Sequence, residues 1–72
     1  MTVISYQLKV KSAVSLKIYD VLGRVVVTLV EGVQGEGLKS IEFNASDLPS
    51  GVYYYRLRAG EYSEMKKLIL LR

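Results

Sequence analysis

The feature that most constrains this chain is a side-chain period of two. Ile4, Tyr6, Leu8 and Val10 alternate with Ser5, Gln7 and Lys9, and Val14, Leu16 and Ile18 alternate with Ser15, Lys17 and Tyr19. Successive side chains of a strand point to opposite faces, so each run reads as a strand with one buried face. Leu38 to Asn44 turns Ile41 and Phe43 inward, and Val52 to Ala59 sets Tyr53, Tyr55, Leu57 and Ala59 on one face against Val52, Tyr54, Arg56 and Arg58. A last strand runs from Tyr62 to Leu71 and ends in Leu68-Ile69-Leu70-Leu71 after Lys66 and Lys67. Arg24 to Val30 is nearly continuous in Val, Thr and Leu, which predicts a central strand covered on both sides, or one with few exposed positions. No window of helical length shows a 3.6-residue period. The chain reads as all-β.

The turn residues agree. Asp20-Val21-Leu22-Gly23 has Asp first and Gly fourth, the pattern of a type I turn, and Gly60-Glu61 suits a two-residue II′ hairpin loop. Glu31 to Gly37 carries three glycines and reads as a longer flexible link. Asn44 to Gly51 is the other long link, with Leu48 placed to plug the end of a sandwich. Both look like crossings between sheets, which favours a sandwich over a barrel.

Composition removes most chemistry. With no Cys and no His, the chain has no thiolate nucleophile, no imidazole base and no Cys or His metal ligand. The turn acids Asp20 and Asp47 have no calcium-loop spacing and are expected to bond their own backbone, so neither a metal nor a cofactor is expected. The segment 32–37 is glycine-rich but lacks the Lys and Ser/Thr of a phosphate-binding loop. Asn44-Ala45-Ser46 fits a glycosylation acceptor pattern, yet Asn is equally at home in such a turn. Ten Lys and Arg against seven Asp and Glu leave a net charge of +3, too small an excess to mark a nucleic-acid binder. Tyr54, Arg56 and Arg58 share a face that could serve RNA or sugar as an aromatic and basic platform; Tyr and Arg are also ordinary cross-strand partners on a solvated face. No apolar run reaches the length of about 18 residues that a membrane helix needs, and Met1 to Ser5 does not open a signal peptide.

Three stretches resemble one family. Val14-Ser15-Leu16-Lys17-Ile18-Tyr19-Asp20-Val21-Leu22-Gly23-Arg24-Val25-Val26 is similar to the V-x-L-x-I-Y-D-x-x-G-R-x-V signature of bacterial C-terminal sorting domains of the type IX (Por) secretion system. Leu48-Pro49-Ser50-Gly51-Val52-Tyr53-Tyr54-Tyr55-Arg56-Leu57 resembles their second signature, and Lys66-Lys67-Leu68-Ile69-Leu70-Leu71-Arg72 resembles their closing strand. The first signature also occurs in immunoglobulin-like scaffold modules such as those of flagellar hook capping. A non-catalytic structural module acting by protein contact is therefore the alternative.

The resemblance implies a small immunoglobulin-like antiparallel β-sandwich of six to seven strands, one domain over residues 1–72, at the C-terminal end of a longer secreted or surface protein. It implies a sorting signal rather than an enzyme. The implied partners are an outer-membrane translocon and a sortase-like peptidase, with no nucleic acid and no membrane span. Residues Lys66, Lys67, Leu68, Ile69, Leu70, Leu71 and Arg72 would be recognised, while Tyr19, Asp20, Gly23, Arg24, Gly51 and Tyr53 would serve the fold. A terminal strand at a sheet margin offers backbone groups to a partner strand, so a homodimer through that edge is also expected.

Overall fold

The structure is a computed structural model and describes residues 2–44, 46 and 48–71. Six strands follow one another: β1 (Thr2–Leu8), β2 (Ser12–Tyr19), β3 (Val25–Gln34), β4 (Gly37–Phe43), β5 (Gly51–Ala59) and β6 (Tyr62–Leu70). All pairings are antiparallel. β1 and β4 form a two-stranded sheet, and the other four form a sheet in the order β3-β2-β5-β6. The alternating pattern explains the sandwich. Ile4, Leu8 and Phe43 of the small sheet meet Val14, Leu16, Ile18, Tyr53, Leu57 and Leu70 of the large one, and these nine make the buried core among the described residues. Leu16 and Ile18 of β2 are fully enclosed, so the strand next to the middle of the large sheet is its anchor.

β3 corrects the sequence expectation. It is a margin of the large sheet, not a strand covered on both sides, and Val25, Val26, Thr28 and Val33 are exposed. Its register against β2 shifts twice, leaving Val26 and Leu29 as extra residues. Bulges let neighbouring residues turn to the same side. Leu29 and Val30 thus both pack on the core, and a continuous apolar run results without two-sided burial.

The links differ as well. β3 continues to Gln34, so the crossing to β4 takes only Gly35 and Glu36 rather than a flexible stretch from Glu31. The chain also changes sheets between β1 and β2, at residues 9–11, where Val10 is exposed beyond its strand. From β4 to β5 it crosses back through 44–50, and Leu48 packs against the cluster of Ile18, Phe43, Tyr53 and Leu70. Asn44 Oδ1 accepts the Ser46 N–H at 3.0 Å, the local turn expected of Asn. Asp47 lies outside the described residues. At the β5–β6 hairpin Gly60 has φ +61° and no described non-glycine residue has positive φ, which makes the loop type II′.

Candidate functional site

β6 pairs with β5 alone and forms the second margin of the large sheet. Its register runs without a shift from Gly51↔Leu70 to Ala59↔Tyr62. Nothing kinks this edge, so its outer backbone groups form a straight row open to a partner.

The side chains of the basic and apolar terminal segment divide between the two faces. Leu68 and Leu70 turn inward onto the cluster of Ile18, Phe43 and Tyr53. Lys66 is on the same face but exposed, and its Nζ pairs with Glu64 Oε1 at 3.2 Å. The Tyr62 hydroxyl donates to the other carboxylate oxygen of Glu64. The bond from Tyr62, then that from Lys66, lowers the Glu64 carboxyl below the usual glutamate range, and the bond to Glu64 raises Lys66 above the usual lysine value. Lys67, Ile69 and Leu71 are exposed. The basic pair is therefore not one feature: Lys66 is held by Glu64, whereas Lys67 lies opposite Tyr54 and forms no ion pair among the described residues. Arg72 lies outside the described residues.

The first signature builds the turn from β2 to β3. Tyr19 ends β2 opposite Tyr54 and Val25. The Gly23 N–H donates to the Asp20 carbonyl at 3.0 Å, and Asp20 Oδ1 accepts the Leu22 and Arg24 N–H groups at 2.9 and 3.0 Å. Arg24 Nε reaches Asp20 Oδ2 at 2.9 Å. These bonds, the Arg24 N–H first, hold the Asp20 carboxyl below its ordinary range. Gly23 has φ +83°, a conformation other residues resist.

The second signature ties the crossing link to β5. Gly51 takes φ +153° with open space where a Cβ would stand, so backbone conformation rather than close approach calls for glycine there. Tyr53 is buried, and its hydroxyl donates to the Pro49 carbonyl at 2.8 Å. A tyrosine reaching back to the backbone just upstream is the device that pins corners in other β-sandwiches.

One further surface is not visible in the sequence, and another is visible only in part. A groove of about 510 Å³ opens between β1 and the inner side of β5 and β6, lined by Tyr6, Leu8, Leu57, Ala59, Tyr62 and Glu64 among others. The outer face of the large sheet gathers Lys17 with Arg56 and Arg58, and the partner strand adds Lys67. The register of distant strands creates both, and no local pattern carries that information. Among the described residues no group of three Asp or Glu side chains is placed to hold a metal ion.

A family model described as the secretion system C-terminal sorting domain matches residues 2–71. No curated protein and no solved structure gives a significant match.

Proposed function

The chain belongs to the family of C-terminal sorting domains of the type IX (Por) secretion system, and on that premise we propose that β6 is the element its secretion machinery reads. Domains of this family are carried by cargo that is secreted or attached to the cell surface, and they act as the sorting signal. The observation that supports β6 is its uninterrupted open edge. Of the two margins of the large sheet, β3 is broken by register shifts that block strand addition, and β6 is not. An extended segment of the machinery can pair with the β6 backbone, while Lys67, Ile69 and Leu71 supply charge and contact beside it.

In this reading the domain ends a longer secreted protein, an outer-membrane translocon is its first partner, and a sortase-like peptidase acts on it after export. The domain performs no chemistry of its own, in keeping with a chain that lacks His and Cys. The same free edge accepts a second copy, giving dimers at high concentration.

The test fuses the domain behind a signal peptide and a reporter in a host that has the translocon. Removal of Lys66 to Arg72 should stop export. That deletion also takes core side chains, so Lys67→Glu with Ile69→Glu forms a second arm that leaves the core residues in place. Export at the unaltered level by both variants would refute the assignment.

A further inference from the structure

Strand pairing puts Lys17 directly opposite Arg56, Ser15 opposite Arg58, and Lys67 opposite Tyr54, which itself faces Tyr19. With strands about 4.8 Å apart and alternate residues about 7 Å apart, the four cations lie within about 15 Å on one sheet face. Like charges opposite each other destabilise a sheet. Among the described residues none of the four cations is in an ion pair: the pairs are Arg24–Asp20 and Lys66–Glu64, and neither involves this face. Arg56 Nε is closed off from solvent and has no hydrogen-bond partner. The one acid on the face, Glu31, stands opposite Ser15 at the margin strand. An anionic partner from outside would offset that repulsion.

We infer that this outer face docks on an anionic lipid layer. The cations do not stand alone. Met65 and Ile69 flank Lys67 on the same side of β6 and are 52% and 56% exposed. Val25 and Val33, opposite Tyr19 and Ala13, extend the exposed apolar rim to the other margin. Cations set among exposed apolar side chains, with tyrosines between them, are the chemistry of binding at a lipid headgroup interface. Mobile headgroups can reach cations on three strands at once, whereas an acidic protein would need fixed charges in register with all of them. A nucleic-acid strand would stack on open aromatic faces, and Tyr19 and Tyr54 are half-buried.

The test is co-sedimentation of the 72-residue chain with vesicles of phosphatidylcholine alone or with added phosphatidylglycerol. Binding is expected only with phosphatidylglycerol, at about 0.1 M salt and not at about 1 M. Arg56→Ser with Arg58→Ser should lower partitioning roughly 30-fold, and Lys17→Gln alone about fivefold, which keeps the test open if the double variant does not fold. Met65→Ser should weaken binding while leaving its salt dependence unchanged. Equal binding to neutral vesicles, no binding to anionic ones, or capture by polyglutamate or single-stranded DNA instead of vesicles would each overturn the inference. No secretion machinery is present in this assay, and none of its variants touches β6 except at Met65, so its failure leaves the β6 assignment standing.

Discussion

Asp20 and Arg24 close the β2–β3 turn on each other twice over. The Asp20 N–H donates to the Arg24 carbonyl at 3.0 Å, and the Arg24 N–H and Nε donate back to the two Asp20 carboxylate oxygens at 3.0 and 2.9 Å. Each of the donors reaching the carboxylate favours its charged form. Asp20 thus titrates below the ordinary aspartate value of 3.8. The contribution to stability is complete above that value and disappears as pH falls through the lower folded-state value. Thermal midpoints against pH should therefore drop in acid, and Asp20→Asn should lie below the unaltered chain at neutral pH and converge with it as the acid limb is descended. Glu64, also lowered, leaves the variant with some acid sensitivity of its own.

Gly23 completes that turn at φ +83° with nothing near the site of a Cβ. The cost of Gly23→Ala is then backbone strain without collision, about 1–2 kcal/mol. Gly23→Asn should lose less, because Asn tolerates the left-handed region. Urea midpoints of the two variants check the order.

This turn was legible because its determinants sit within five residues of one another. The same holds for the period-two strands, whose inward residues Val14, Leu16, Ile18 and Phe43 belong to the core. β3 was not legible. Its bulges arise from pairing with β2, and a run such as Val25 to Val30 looks alike whether it is covered on both sides or bulged at a margin. For the same reason the sequence placed Tyr54, Arg56 and Arg58 together but could not bring in Lys17 and Lys67, which arrive through strand order. Adjacent lysines, in turn, suggested one basic feature, whereas strand alternation sends Lys66 and Lys67 to opposite faces.

Tyr53 fastens the crossing link by a single bond, to the Pro49 carbonyl. Pro49 is exposed, so water can take over its carbonyl when the hydroxyl is removed. Tyr53→Phe should cost about 0.5–1 kcal/mol, the lower part of the range for one hydrogen bond. Tyr53→Ala also empties part of the core and should cost about 3–5 kcal/mol. Chemical denaturation of both separates the bond from the packing.

No disulfide reinforces the fold, so packing carries most of its stability. A domain of this size retains only a few kcal/mol, on the order of 5. Leu16→Ala should remove about 2–5 kcal/mol and Phe43→Ala about 3–5, enough to unfold much of the population. Leu38→Ala, at a side chain 78% exposed, should leave the denaturation midpoint nearly unchanged. Native-like midpoints for the first two would show that the core lies elsewhere.

Leu70 and Leu71 separate folding from recognition at adjacent positions. Leu70 is 7% exposed and packs with Ile18, Phe43 and Tyr53, whereas Leu71 is 88% exposed. Leu70→Ala should destabilise the domain by about 2–5 kcal/mol. Leu71→Ala should change stability by no more than about 0.5 kcal/mol. If the machinery reads the outward side chains beside the β6 edge, Leu71→Ala lowers export of the reporter while the purified domain melts as before. Loss of export with Leu70→Ala alone, tracking its loss of stability, would instead mean that a folded sandwich is required but its terminal side chains are not read.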